Sequence, residues 1–85
     1  MARRIRFTKH ASDKFSFLIR YGFMINKTDV IQTISKPAKL ERKGDQVLAM
    51  REINDKYALR VVYERHNGII IVITFYPVKR KEYGI

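Results

Sequence analysis

The segment "LRVVYERHNGIIIVITFY", residues 59–76, constrains the fold more than any other part of the chain. Asn67-Gly68 separates two runs rich in β-branched and aromatic residues, and Asn-Gly is the preferred pair for a two-residue type I′ turn between antiparallel strands. Such a turn pairs His66 with Ile69, and an unbroken ladder then pairs Arg60 with Phe75. The sequence therefore predicts a long β-hairpin close to the C-terminus.

In this register the hairpin has two different faces. The first carries Arg60, Val62, Glu64, Ile71, Ile73 and Phe75, and the second carries Tyr57, Leu59, Val61, Tyr63, Ile70, Val72, Thr74 and Tyr76. The second face is more uniformly apolar, so we expect helices to cover it and the first face to stay open. The hydroxyls of Thr74 and Tyr76 would then be satisfied within the core.

Three further strands are predicted before the hairpin. The five strand segments are 4–8, 38–43, 46–53, 57–65 and 69–76. Residues 4–8 alternate polar and apolar side chains, as a half-buried strand does. Gly44-Asp45 and Asn54-Asp55 favour tight turns between the later strands.

The turn between segments 46–53 and 57–65 decides on which face of the sheet Arg51 lies. If Asp55-Lys56 forms a two-residue turn, Arg51 lies across from Arg60 on the open face, whereas a three-residue turn reverses this parity. The two-residue turn therefore predicts two adjacent guanidinium groups that need water or an anion between them.

Two helices are predicted between the first and second strands. The first begins with Thr8 as N-cap and ends at Gly22, and the second extends from an Asn26 cap, supported by Asp29, to Pro37. The inward-facing residues are expected to be Ala11, Phe15, Leu18 and Ile19 in the first helix and Val30, Ile31 and Ile34 in the second.

The order of elements defines the fold class. We predict one α+β domain over residues 1–85, in which the N-terminal strand and two helices pack on one face of a curled antiparallel sheet of four to five strands.

Charge gives the strongest indication of function. The chain has 18 Lys and Arg against 8 Asp and Glu, a formal net charge of +10. Polyanion binding gains free energy from counterion release at each neutralised phosphate, so RNA or DNA is the leading class of partner. The alternative is a basic surface that serves solubility or docks an acidic protein.

Composition also excludes several classes. The chain has no Cys, which excludes disulfides and thiolate zinc sites, and it has no apolar run of the ~20 residues that span a bilayer. We expect a cytoplasmic protein with no membrane partner. The sequence has no phosphate loop, paired-carboxylate site or metal cluster, so we expect neither a metal nor a cofactor.

Three stretches together resemble a known group of proteins: "FTKHASDKF", "INKTDVIQTISKP" and "LRVVYERHNGIIIVITFYPVKRK". The pattern is similar to that of small RelE-like domains in the barnase, EndoU, colicin and RelE group of metal-independent ribonucleases. The resemblance covers residues 5–79. It implies a RelE-like fold and cleavage of RNA through attack of a ribose 2′-hydroxyl on its own phosphodiester. The implied partners are free or ribosome-bound RNA and an acidic antitoxin protein.

The resemblance and the basic tail together give a set of candidate site residues. The catalytic candidates are His10, Arg60 and Tyr76, and the substrate-binding candidates are Lys14, Arg51, Arg65, Thr74, Lys79, Arg80 and Tyr83. Metal-free cleavage needs guanidinium or ammonium groups around the phosphorane and a His, Tyr or Lys for proton transfer, which these residue types supply. We expect the tail itself to fray while its charges contact phosphate.

Plainer interpretations exist for the residues of the first helix and of the hairpin turn. His10 and Lys14 are also typical of a solvated helix flank, and His66 is typical of a turn. Phe17 and Tyr21 share the flank of Lys14, but aromatic residues at helical spacing in so small a protein are more often core residues than stacking platforms for bases.

The arginines and the scaffold also allow other interpretations. Glu52 or Glu64 can neutralise Arg51 and Arg60. A non-catalytic RNA-binding module, or a ParE-like toxin that acts on a protein target, would use the same scaffold and the same charge.

Overall fold

Five strands and three helices make up residues 4–85, the part of the chain that the computed structural model describes. Their bounds are β1 Arg4–Phe7, α1 Lys9–Ile19, α2 Lys27–Ser35, β2 Lys39–Lys43, β3 Gln46–Glu52, β4 Tyr57–His66, β5 Ile69–Lys79 and α3 Arg80–Tyr83. Residues 1–3 of the predicted domain lie outside the described residues. Within residues 4–85, no helix is long and apolar enough to cross a membrane.

The strands form one open five-stranded sheet in the order β1-β5-β4-β3-β2. Strands β2 to β5 are an antiparallel meander, but β1 is parallel to β5, with Arg4 opposite Ile69. The α+β class and the five strands are confirmed, whereas the prediction of an antiparallel sheet is wrong because the sheet is mixed. Alternation in residues 4–8 identifies a strand without fixing its direction, and the long connection between β1 and β5 permits parallel pairing.

Helices α1 and α2 cover one face of the sheet, as predicted. Helix α1 packs on β5, and α2 packs on β3 and β4. The predicted caps are present: the Thr8 hydroxyl accepts from the Ala11 amide at 3.1 Å, and Asn26 and Asp29 form a reciprocal capping box. The core between the layers consists of Ala11, Leu18, Ile25, Val30, Ile34, Val47, Ala49, Leu59, Val61, Tyr63, Ile70, Val72 and Phe75.

Two residues predicted to face inward lie at the surface instead. Ile19 is 56% exposed and Ile31 is 38% exposed. Each follows a buried residue, Leu18 or Val30, and successive side chains point about 100° apart around a helix, so only one of each pair can face the sheet. Thr33 takes the inward position in α2, and its hydroxyl donates to the Asp29 carbonyl at 2.8 Å.

The β3–β4 turn has the register of a three-residue turn, the second of the two predicted alternatives. The Ile53 amide donates to the Tyr57 carbonyl at 3.0 Å, and the Asn54 side chain accepts hydrogen bonds from the amides of Lys56 and Tyr57 at 2.9 and 2.8 Å. Arg60 therefore lies opposite Met50, and Arg51 lies opposite Leu59. A shift of one residue moves a side chain to the other face, so the Arg51–Arg60 pair that a two-residue turn predicts is wrong, and the reversed parity predicted for a three-residue turn is confirmed.

The β4–β5 hairpin begins in the predicted register and then changes. His66 pairs with Ile69 around a turn in which Asn67 and Gly68 have φ angles of 51° and 78°, as a type I′ turn requires. A bulge follows, because Tyr63 pairs with Val72 and Val62 with Thr74, which leaves Ile73 unpaired.

The bulge reverses the faces of the second half of β5. Phe75 lies opposite Val61 in the core, and Thr74 and Tyr76 lie on the same side as Arg60. The predictions that pair Arg60 with Phe75 and bury Thr74 and Tyr76 beneath the helices are therefore wrong. The Ile73 carbonyl accepts a hydrogen bond from the Thr8 hydroxyl at 3.1 Å, so the cap of α1 also holds the bulge.

The C-terminal tail has defined secondary structure, and whether its end frays stays a prediction. Strand β5 continues to Lys79, and α3 follows it directly. The Arg80 guanidinium donates to the carbonyls of Ile85 and Asn54 at 2.9 and 3.2 Å, which ties the chain end to the β3–β4 connection. These bonds place Tyr83 above the sheet.

Candidate functional site

The face of the sheet opposite α1 and α2, called the open face below, carries a row of aligned residues. Lys39, Met50, Arg60 and Tyr76 are partners in successive strands from β2 to β5. Tyr83 of α3 lies over this row: its ring centroid is 5.3 Å from the Arg60 guanidinium carbon, and its carbonyl accepts from the Lys39 ammonium at 3.3 Å. The row and α3 together form a polar and aromatic cluster.

Arg60 is at the centre of this cluster. Its guanidinium carbon lies 5.9 Å from the Tyr76 ring centroid, so two aromatic rings flank the cation. One terminal nitrogen donates to the Tyr83 hydroxyl at 3.1 Å, and the buried Nε has no hydrogen-bond partner within residues 4–85. A guanidinium held in this way keeps donor capacity for an incoming anion.

The acidic residues expected to neutralise this arginine do not contact it. Glu64 lies on the open face but pairs with His66 at 2.8 Å. Among the described residues the carboxylate contacts to basic side chains are Lys39–Glu41 and the hydrogen-bonded pair His66–Glu64, and neither involves Arg60. A partly buried cation with no carboxylate beside it favours an anionic ligand.

Helix α1 adds a third cation to the cluster, after Lys39 and Arg60. The Lys14 ammonium lies 5.9 Å from the Tyr76 ring centroid and 5.5 Å from that of Phe17. His10 lies one turn before Lys14 and lines the same shallow depression, with Asp13 and Phe17. Contacts therefore run from Lys14 through Tyr76 and Arg60 to Tyr83, and His10 lies beside the Lys14 end of this series.

The remaining predicted site residues lie elsewhere. Arg51 is on the helix-covered side, where it donates to the Gln32 side chain and the Lys36 carbonyl of α2 at 3.5 and 3.4 Å. Arg65 is exposed beside the hairpin turn, opposite Ile70. Lys79 is exposed at the start of α3, and Arg80 is engaged with the chain end.

Thr74, by contrast, lies on the open face next to the row. It pairs with Val62, and Val62 pairs with Leu48. Leu48, Met50 and Val62 are buried although neither α1 nor α2 covers them, so the open face has an apolar floor beneath its polar groups.

Sequence reasoning gave too little weight to two features. Tyr83 contacts Arg60 only because α3 folds back over the sheet, and four residues of a charged tail give no periodic signal for such a helix. Phe17 and Tyr21 are 47% and 66% exposed, so the prediction that they belong to the core is wrong. Their shared flank with Lys14 was the signal available in the sequence.

No family model, curated protein or solved structure matches the chain.

Proposed function

We propose that this protein binds RNA on its open face and cleaves it without a metal, as a RelE-like endoribonuclease. The observation that carries the proposal is Arg60, held between Tyr76 and Tyr83 with no carboxylate beside it. The net charge of +10 supports a polyanionic substrate. A RelE-like fold, a cytoplasmic location and an acidic antitoxin that masks the same cations belong to this proposal.

The proposed reaction is an internal transesterification. The ribose 2′-oxygen attacks phosphorus, the bond from phosphorus to the 5′-oxygen breaks, and the products are a 2′,3′-cyclic phosphate and a 5′-hydroxyl. One group takes the proton from the 2′-hydroxyl and another gives a proton to the leaving oxygen. Arg60 binds the phosphate oxygens and stabilises the charge that develops on them.

Proton transfer is assigned to His10, on the exposed flank of α1, and to the Tyr83 hydroxyl, which is hydrogen-bonded to Arg60. Both groups must reach one phosphodiester, so the proposal requires the His10 side chain to approach Arg60 when RNA is bound. Lys14 and Tyr76 lie between them and would position the ribose-phosphate chain. These residues supply the cations and the proton-transfer groups that metal-free phosphodiester cleavage requires.

A second candidate is an RNA-binding module without catalysis. Within residues 4–85, no hydrogen bond orients the His10 ring, whereas general bases are commonly held in place by a third group. Binding and cleavage therefore need separate measurements.

The experiment is RNA cleavage in the presence of EDTA, with His10→Ala compared with His66→Ala. We expect fragments that end in 2′,3′-cyclic phosphate from the unaltered protein and from His66→Ala, because His66 pairs with Glu64 at the hairpin turn. His10→Ala should lose cleavage and keep salt-dependent RNA binding, since many cations share the phosphate contacts.

Each other outcome points to a different conclusion. Cleavage that survives in His10→Ala would remove His10 from the reaction. RNA binding without cleavage of free or ribosome-bound RNA would leave the binding module. Absence of RNA binding at ~50 mM salt would refute the proposal, because electrostatic binding is strong at low ionic strength.

A further inference from the structure

Two aromatic rings lie side by side in solvent at the C-terminal end of α1, Phe17 within the helix and Tyr21 in the turn that follows it. The centroids of Phe17 and Tyr21 are 5.1 Å apart, and the side chains are 47% and 66% exposed. Single exposed apolar residues are ordinary, but aromatic side chains carry much of the burial energy that a small core needs. A contacting pair left outside the core of an 85-residue chain therefore needs a reason.

The surroundings of the pair are polar and carry more positive than negative charge. Phe17 separates two shallow depressions, one shared with His10, Asp13 and Lys14, the other with Ser12, Asp13, Ser16 and Arg20. Each depression holds one cation, Lys14 or Arg20, and Asp13 is the acid common to both. This setting suits a ligand that presents an aromatic face and a negative charge together.

We propose that Phe17 and Tyr21 form a stacking site for unpaired nucleobases of RNA. The inference rests on the proposed function and adds the form of RNA that is recognised. Bases in a duplex are stacked on each other and do not present their faces, whereas unpaired bases stack on exposed rings. The protein therefore selects single-stranded segments.

Lys14 connects this stacking site to the cluster around Arg60. Its ammonium is 5.5 Å from the Phe17 ring centroid and 5.9 Å from the Tyr76 ring centroid. If Lys14 binds one phosphate of the RNA strand, the nucleobases on one side of that phosphate lie at Phe17 and Tyr21. The backbone on its other side then runs toward Arg60. Phosphate contacts fix the position of the strand, and the rings hold its bases.

Charge favours RNA over a protein partner for these rings. The centre of a protein interface is depleted in charged residues, but here Lys14 lies directly beside the Phe17 ring. The chain as a whole carries a formal charge of +10, which attracts a polyanion.

The test compares binding of a single-stranded RNA with binding of a duplex of the same sequence. In the variant Phe17→Leu/Tyr21→Leu both sites stay apolar but lose the ring plane. We expect its affinity for the single strand to fall roughly ten- to hundredfold, as expected for loss of base stacking, while its affinity for the duplex stays unchanged.

Ile19→Ser/Met24→Ser is the matched control, because Ile19 and Met24 are exposed apolar residues close to the pair in the sequence and have no aromatic ring. The control should bind both RNAs as the unaltered protein does. A single-stranded RNA that contains 2-aminopurine gives a direct reading of stacking: its emission should be quenched by the unaltered protein and by the control, and not by the double leucine variant.

The outcomes separate this inference from the proposed function. If the unaltered protein binds RNA and the double leucine variant binds it equally well, the stacking site is wrong and the RNA-binding face remains. If the variant weakens single strands and duplexes alike, the rings act without base stacking. If the unaltered protein binds no RNA, both proposals fail. Self-association that disappears in the variant, with RNA binding unchanged, would assign the rings to contacts between copies of the chain.

Discussion

The two faces of the sheet are built from the same strands, but an arginine on each face makes different contacts. On the helix-covered side, Arg51 donates to neutral acceptors of α2 and contributes to packing. On the open face, Arg60 lies between two tyrosines, with one buried nitrogen unpartnered within residues 4–85. An unsatisfied buried polar group costs stability, so the surroundings of Arg60 contribute less to folding than the hydrogen-bonded surroundings of Arg51.

The β3–β4 turn places Arg51 on the helix-covered side, and the bulge at Ile73 brings Tyr76 beside Arg60. Before the bulge, the even-numbered residues Ile70 and Val72 of β5 face the helices. After it the odd-numbered Phe75 faces them, and Tyr76 is beside Arg60 on the other face. Bulges commonly occur where a strand must redirect a side chain. In this protein the redirected side chains are those of Thr74 and Tyr76.

The largest expected difference between the two faces is in stability, and it is tested by substituting the neighbouring residues Phe75 and Tyr76. Phe75→Ala should lower the free energy of unfolding by about 3–5 kcal/mol, because Phe75 is fully buried in the core. Tyr76→Ala should cost about 1 kcal/mol or less, since its ring contacts two cations on the open face. Urea denaturation measures both. Equal losses would mean that the two faces are parts of one core.

The second test concerns the two arginines in RNA binding. Arg60→Gln should reduce affinity roughly ten- to hundredfold, because a charge-assisted contact to phosphate contributes about 1.5–3 kcal/mol. It should also reduce the slope of log affinity against log salt by about 1. Arg51→Gln should change neither, since Arg51 is engaged by α2 on the other face. Fluorescence anisotropy at several salt concentrations distinguishes the faces, and equal losses would indicate diffuse attraction.

Much of the fold follows from local signals in the sequence. The caps at Thr8 and Asn26, the stop at Gly22 and the Asn67-Gly68 turn depend on a few neighbouring residues, and they are where the sequence predicts them. Each has a specific backbone requirement that few residue types meet.

The site was harder to predict because it depends on which face of the sheet each side chain occupies, and a one-residue shift in strand pairing reverses that face. The Asn54 turn and the Ile73 bulge each shift a register by one residue, and together they decide which side chains share a face with Arg60. A shift of one residue changes no composition or periodicity within either strand. The sequence identified His10, Lys14, Arg60 and Tyr76 as candidates but separated Arg60 from Tyr76, and it grouped Arg51 with the open face only if the β3–β4 turn had two residues.

A smaller effect is expected at the residue that joins the bulge to α1. The Thr8 hydroxyl accepts from the Ala11 amide and donates to the Ile73 carbonyl, both at 3.1 Å. Thr8→Val keeps the shape and removes both bonds, so we expect a loss of about 1–2 kcal/mol in the free energy of unfolding. Thr28→Val, at an exposed position in the first turn of α2, is the control. No difference between the two would show that the bulge does not need this bond.

The smallest effect is expected where α3 meets the open face. Tyr83→Phe keeps the ring beside Arg60 and the carbonyl bound by Lys39, and it removes only the hydroxyl that accepts from the guanidinium at 3.1 Å. We expect a loss of about 0.5–1.5 kcal/mol in the free energy of unfolding. RNA affinity should be unchanged or slightly higher, because the freed guanidinium donor becomes available to phosphate. Urea denaturation and anisotropy measure the two effects, with Tyr76→Phe as the ring-matched control. A loss as large as that of Phe75→Ala would make α3 a structural part of the core. A fall in RNA affinity would instead place the Tyr83 hydroxyl among the groups that bind the substrate.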